Sequence, residues 1–197
     1  NASYYVKITT DAANRAGTSW SASKYRLEGS GSASNGVIRL ASGTSFTRII
    51  GLQISQTNAS YPVITGSTNT YMVVDSCFVK GGIGSYSRSD VSVFLNSIFM
   101  GSTSSQLRIG ASTGLTLNAY NCVFIGGVNG LNAIANNTFN LKNCYAGNSS
   151  SADYLEAGTL NLTTCYSEDG SEGSSTAAYN TSTFTNVTGG SEDFALV

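Results

Sequence analysis

The chain predicts an all-β fold, a parallel β-helix solenoid of about eight rungs of 21–25 residues each. Three observations predict it. A short phrase recurs through the middle of the chain: Val74-Asp75-Ser76-Cys77-Phe78, Leu95-Asn96-Ser97-Ile98-Phe99, Tyr120-Asn121-Cys122-Val123-Phe124, Leu141-Lys142-Asn143-Cys144-Tyr145 and Leu162-Thr163-Thr164-Cys165-Tyr166. The composition is that of strands and tight bends, rich in Ser, Thr and Asn, with 22 Gly and 1 Pro. No window carries a helical apolar period, which excludes ankyrin-like and tetratricopeptide-like arrays.

The elements follow in order. Residues 1–36 are less regular and are expected to form an N-terminal capping region and the first rungs, with Tyr4, Tyr5 and Trp20 helping to close that end. Residues 37–190 are expected to be the repeats. Short apolar runs at 49–55, 71–74, 92–95, 115–117 and 159–162 read as strands. Gly81-Gly82, Gly126-Gly127, Gly147-Asn148-Ser149 and Asp169-Gly170-Ser171 read as the bends between them. Extrapolation forward places a further rung at Phe184-Thr185-Asn186-Val187. Residues 191–197 break the Asn and Thr rhythm and are expected to be a C-terminal cap or a truncated continuation. The chain starts at Asn1 without a signal-peptide pattern, so a processed product or part of a longer polypeptide is expected.

Stacked coils turn sequence columns into vertical ladders. Leu52, Cys77, Ile98, Val123, Cys144 and Cys165 align as one column. Ile38, Ile64, Ile109, Ile134 and Leu155 align as a second. Asp75, Asn96 and Asn121 are expected to form a polar ladder at a bend, and Phe78, Phe99, Phe124, Tyr145 and Tyr166 an aromatic stack. Which column faces inward stays open, because a one-residue slip exchanges the faces. At about 4.8 Å per rung the rod would be roughly 35 to 40 Å long. The cysteines read as small buried fillers between rungs. Cys144 and Cys165, one period apart, would also lie about 5 Å from each other, within disulfide reach.

Several classes of function are excluded early. Charged residues are 11% of the chain and the net charge is −1, with the ten Lys and Arg scattered, so there is no nucleic-acid footprint. No apolar run is long enough to span a bilayer. The cysteine spacings match no zinc motif. There is no His, which also removes Ser-His-Asp and Cys-His nucleophile systems. No cofactor is expected. The low charge suggests a virion or extracellular setting.

The repeated phrases, Tyr120-Asn121-Cys122-Val123-Phe124 and Leu141-Lys142-Asn143-Cys144-Tyr145 above all, resemble rungs of the right-handed parallel β-helix superfamily known as pectin-lyase-like. Ser23-Lys24-Tyr25-Arg26-Leu27 and Arg48-Ile49-Ile50-Gly51-Leu52-Gln53-Ile54 look like β-helix proteins of phages and secreted bacterial proteins. The resemblance covers nearly all of the chain and implies fold more than function. It implies one of several roles: polysaccharide lyase, glycoside hydrolase, tailspike, capsid decoration protein or adhesin. The Gly-His-Gly segment of polygalacturonase-like members is absent. Asn, Ser and Thr stand where pectate-lyase-like members carry calcium-holding carboxylates.

Candidate site residues are few. A glycosidase needs two carboxylates about 5 to 10 Å apart. The candidates are Asp75 with Asp90 and Asp153 with Glu156. The run Glu168, Asp169 and Glu172 is the richest acid cluster; it reads as a solvated rung corner or as a calcium site, with hard oxygen ligands around a flexible Gly. Tyr61, Tyr86, Tyr154 and Tyr179 fall outside the aromatic column and are the candidates for glycan contact. Asn-x-Ser/Thr triplets begin at Asn1, Asn58, Asn136, Asn148, Asn161, Asn180 and Asn186, as a chain this rich in those residues produces by chance.

The expectation is a non-catalytic structural or binding protein of a virion or cell surface: a capsid decoration, fibre or spike module, in contact with capsid or tail proteins, surface polysaccharide or copies of itself. A homotrimer is one form of that assembly. The alternatives are a polysaccharide lyase or glycoside hydrolase, and a subunit of an extracellular filament stacked through its terminal rungs.

Overall fold

The computed structural model describes residues 6–30, 36–41, 46–58, 62–66, 71–81, 83–85, 91–101, 104–109, 114–134, 136–180, 183–187 and 193–196. The backbone winds into a parallel β-solenoid with three faces. The first face is a seven-stranded ladder running from Val6–Thr9 through Thr47–Ile50, Met72–Asp75, Val91–Leu95, Thr116–Tyr120 and Thr138–Lys142 to Thr159–Thr163. The second has eight strands, from Arg26–Gly29 and Gln53–Gln56 through Phe78–Lys80, Ile98–Met100, Val123–Ile125 and Tyr145–Gly147 to Tyr166–Ser167 and Ser175–Thr176. The third stacks Ile83–Ser85, Ser105–Ile109, Asn129–Ala133 and Ala152–Glu156, and Ile38–Arg39 pairs with Ile64–Thr65 in a ladder of their own. Every pairing in these ladders is parallel. No described helix is long and apolar enough to cross a membrane.

The solenoid makes about five turns, not eight. Residues at both ends of the chain leave the stack instead of extending it. Between the first two strands, residues 10–25 run out along the flank. After Thr176 the chain also leaves the coil, and the rung expected at Phe184-Thr185-Asn186-Val187 is absent. Phe184–Asn186 pairs antiparallel with Asp193–Leu196 instead.

Why the coil bends is written in one position. Between first-face and second-face strands sits a two-residue corner whose first residue has positive φ: Gly51 at 73°, Ser76 at 54°, Asn96 at 48°, Asn121 at 54°, Asn143 at 53° and Thr164 at 48°. Asn and Gly tolerate this left-handed backbone best, which is why the column is rich in them. The predicted strand over 49–55 is accordingly two strands broken at Gly51. The second corner residue turns inward as Leu52, Cys77, Ser97, Cys122, Cys144 and Cys165. All four cysteines therefore share one column, and Ile98 and Val123 belong one residue further on. The thiols are free and buried, and no disulfide joins Cys144 to Cys165.

That slip splits the expected aromatic stack. Phe78, Ile98, Val123, Tyr145 and Tyr166 form an outward row, while Val79, Phe99, Phe124, Ala146 and Ser167 form the inward one. Inside, the Phe99 and Phe124 rings stack at 5.4 Å and 10°. On the third face the apolar inward row is Leu107, Leu131 and Tyr154. Ile109 and Leu155 are not in one column, because Leu155 pairs with Asn132 and Asn132 with Arg108.

A second apolar cluster lies outside the coil. Phe78, Ile98, Met100, Ile125 and Tyr145 face outward from the second face and are covered by Phe184 and Phe194 of the C-terminal hairpin. Trp20 meets Phe78 edge-on at 5.8 Å, so it closes this flank rather than the end. Tyr4 and Tyr5 lie outside the described residues. The two flanking segments are joined to each other. Phe194 N donates to Thr18 O at 2.9 Å, and the Thr18 hydroxyl donates to Asp193 Oδ1 at 2.6 Å. Ser21 anchors the N-terminal loop to the buried Gln53 amide through both its N–H, at 2.6 Å, and its carbonyl, at 2.9 Å.

Candidate functional site

The corner column and the outward row beside it build a groove. Left-handed corners project their side chains to the outside at one height per coil, so successive Asn amides meet. Asn96 Nδ2 donates to Asp75 Oδ1 at 3.0 Å, Asn121 Nδ2 to Asn96 Oδ1 at 3.0 Å and Asn143 Nδ2 to Asn121 Oδ1 at 3.2 Å, and the Thr164 hydroxyl donates to Asn143 Oδ1. The expected polar ladder of Asp75, Asn96 and Asn121 is thus present, and it extends two coils further. Each amide spends one N–H and accepts one bond in the ladder, which leaves it a second donor and a second lone pair.

Next to this ladder the outward row supplies an apolar floor of Ile98, Val123, Tyr145 and Tyr166. The opposite wall comes from the flanking segments, with Thr18, Ala177, Thr183, Phe194 and Ala195. Together they enclose about 740 Å³, within the usual size range of ligand sites. The floor spans four coils, so the groove runs along the rod axis for roughly 15 Å. Tyr166 is 47% exposed at its end. Among the described residues, no Asp, Glu, Lys or Arg side chain lines the groove.

The thiols of Cys77, Cys144 and Cys165 are not nucleophiles. Burial pushes Cys77 up to about 11. At Cys144 the neighbouring Cys122 thiol and burial act upward and outweigh the opposing Cys165 thiol, and at Cys165 the Cys144 thiol and burial act upward. Thiols held this high stay protonated at neutral pH. Burial likewise raises the Tyr145 phenol, with the nearby Glu168 carboxylate adding to it.

The expected acids go elsewhere. Asp75 caps the start of the amide ladder and also accepts from the Ser76 hydroxyl at 2.9 Å. Asp153 is buried, and its Oδ2 accepts from the N–H groups of Glu168 at 2.8 Å and Asp169 at 3.0 Å. Glu156 lies three positions along the same strand, exposed, with Oε1 on the Leu160 N–H at 3.3 Å. Glu168 Oε2 accepts from Asn148 N at 2.8 Å, and Asp169 accepts from Asp153 N and Ser171 N. Glu172 is exposed with φ 54°. Asp153, Glu156, Glu168 and Asp169 hold main-chain N–H groups at the C-terminal end of the coil. Among the described residues, no group of three or more His, Cys, Asp or Glu is placed to hold a metal ion.

Burial raises the Asp153 carboxyl, opposed by the Asp169 and Glu168 N–H bonds. At Asp169 burial acts upward too, but hydrogen bonds from Ser171 and from Asp153 N–H outweigh it and hold the carboxyl below its ordinary value.

Of the tyrosines, Tyr154 is fully buried, with its hydroxyl on Tyr166 O at 3.1 Å, and offers no ring face to solvent. Tyr179 packs on Phe184 and Phe194. Tyr61, Tyr86 and Asp90 lie outside the described residues. Sequence reasoning missed Tyr145 and Tyr166 as groove residues by assigning them to the single aromatic stack. The signal available was the aromatic content of the tail, Tyr179, Phe184 and Phe194, which needs an apolar partner. No protein-family profile, curated protein or solved structure matches this chain.

Proposed function

We infer that the chain is a non-catalytic structural and binding module of a virion or cell surface, and that its groove holds a neutral glycan lying along the rod. The observation that carries this reading is the lining: an amide ladder beside an aliphatic and aromatic floor, with no carboxylate or ammonium group among the described residues. Amides and hydroxyls match the donors and acceptors of sugar hydroxyls, and the exposed ring of Tyr166 matches their apolar faces. One free amide donor recurs per coil, a spacing that suits a linear polymer more than a compact ligand. Hydrolysis or elimination needs groups that move protons or hold charge, and the carboxylates that lie close together are engaged in holding main-chain N–H groups. The low charge and the pectin-lyase-like character of the rung phrases support the surface setting.

The test is titration of the chain with a panel of neutral and uronic-acid oligosaccharides, followed by amide NMR shifts and calorimetry, with reducing-end release measured in parallel. Binding of a neutral oligosaccharide without turnover, weakened at least tenfold by Tyr166→Ala and by Asn121→Gly, is the expected result. Asn121→Gly keeps the left-handed corner and deletes only the amide. Turnover, a preference for uronates, or no binding across the panel overturns the reading.

A further inference from the structure

The amide ladder and the floor beside it keep one step over four coils. Ile98, Val123, Tyr145 and Tyr166 follow one another in direct register along the outward row. The amide contacts of the corner column repeat at 3.0, 3.0 and 3.2 Å, so the column neither drifts nor opens along the rod. The exposed amides of Asn96, Asn121 and Asn143, and then the Thr164 hydroxyl, therefore meet the groove from one side at intervals of about 4.8 Å.

A bound chain has to match that step. A pyranose joined through equatorial bonds at opposite corners of its ring, as in β-1,4-linked glycans, advances by about one ring length per residue. That advance is close to the rung spacing, and the chain runs straight. Each residue then brings a hydroxyl to the height of one corner. An axial link, as in α-1,4-linked glycans, bends the chain into a coil. A coiled chain leaves a straight ladder after one or two residues, and the remaining amides go without partners. A chain already straight in solution also loses less freedom on binding than one that has to uncoil.

The groove has one closed end and one open end. The outward residue before Ile98 is Phe78, fully buried beneath Trp20, edge-on at 5.8 Å, and Phe194 at 6.1 Å. These rings stand across the axis of the groove, and the bond from Phe194 N to Thr18 O ties together the segments that carry them. At the other end Tyr166 is 47% exposed, and the next residue of its row, Ser175, is small and exposed.

We propose that the groove is a blind slot for the end of an extended, β-1,4-linked neutral chain, taking one sugar residue per coil. The terminal residue lies beside Asn96 and Ile98, against the Trp20 and Phe194 block, and the fourth lies on the Tyr166 ring. The proposal rests on the glycan reading and narrows it to a linkage, a length and a chain end.

Calorimetric titration with cello- and xylo-oligosaccharides of two to eight residues, beside malto-oligosaccharides of the same lengths, tests it. The affinity of an extended series is expected to climb up to four residues and then level off, with the malto series at least tenfold weaker at four. Asn96→Gly keeps the left-handed corner and removes the amide nearest the closed end. It is expected to weaken the four-residue chain about fivefold, the worth of one hydrogen bond, and to leave the two-residue chain, held at Tyr166, unchanged. Malto-oligosaccharides that bind as tightly as the extended series overturn the linkage, and affinity still rising from six to eight residues overturns the closed end; in both cases the neutral-glycan reading stands. Equal weakening of the two-residue and four-residue chains by Asn96→Gly overturns the register of one residue per coil. No binding in any series removes the glycan reading itself, and this proposal with it.

Discussion

Asp153 and Asp169 cap each other. Asp153 N–H donates to Asp169 Oδ2 at 3.0 Å, and Asp169 N–H donates to Asp153 Oδ2 at 3.0 Å. Two acids that read from the sequence as catalytic and metal candidates are here the clasp that ends the coil. Among the described residues the last third-face strand has no further strand to pair with, so its N–H groups need acceptors. Asp169 and the Ser171 hydroxyl, which receives Tyr154 N–H at 2.9 Å, supply them.

Asp153→Ala leaves the Asp169 N–H without its acceptor, while the Glu168 N–H keeps Ala146 O at 3.2 Å. Each lost partner costs about 1–3 kcal/mol when buried. The variant is expected to lose roughly 1–3 kcal/mol in denaturant unfolding, and Asp153→Asn distinctly less, because its amide oxygen can still accept. A loss under 1 kcal/mol in the alanine variant would show that the clasp holds nothing.

The two carboxylates should have opposite pH slopes. Asp169 is held below its ordinary 3.8, so its stabilisation is present above that value and is lost as pH falls through the folded-state value. Asp153 is raised above 3.8, so the fold is favoured below that value, and this contribution is lost as pH rises through the folded-state value. Asp169→Asn is therefore expected to be more damaging at pH 6 than at pH 3, and Asp153→Asn less damaging at pH 6 than at pH 3. Melting both variants beside the unsubstituted chain at the two pH values reads the signs directly.

The period, the parallel stacking, the amide ladder and the buried role of the cysteines were legible because each repeats at one height per coil. The register was not. Coil length changes from one turn to the next, and a one-residue slip between Cys77 and Ile98 exchanges inward for outward. The groove was not legible either. Its far wall comes from Thr18 and Phe194, residues outside the repeat that find their place through tertiary contacts alone. The turn count failed for the same reason: Phe184 carries the apolar character of a rung residue but spends it on the outer flank.

Tyr145 gives a test of that flank. Its ring meets Phe184 edge-on at 4.9 Å, and its buried hydroxyl has no hydrogen-bond partner among the described residues. An unpaired buried hydroxyl costs stability that its removal returns. Tyr145→Phe is expected to be neutral or to stabilise by up to about 1 kcal/mol. Gly147→Ala should do the reverse, because a methyl there would sit 2.5 Å from the Tyr145 hydroxyl and displace the ring, a cost of roughly 1–3 kcal/mol. A stable Gly147→Ala variant with unchanged near-ultraviolet circular dichroism would contradict this packing.

The split of the aromatic column makes the sharpest forecast. If Phe124 and Tyr166 shared one stack, truncating either would cost a similar amount. They do not share it: Phe124 is fully buried and stacked on Phe99, whereas Tyr166 lies 47% exposed at the groove mouth. Phe124→Ala removes a core ring and leaves a cavity, so a loss of about 3–5 kcal/mol is expected. Tyr166→Ala should cost about 1 kcal/mol or less, since the backbone carbonyl that receives the Tyr154 hydroxyl survives the substitution. Equal losses in urea unfolding of the two variants would put both rings on one face, and with it remove the floor of the groove.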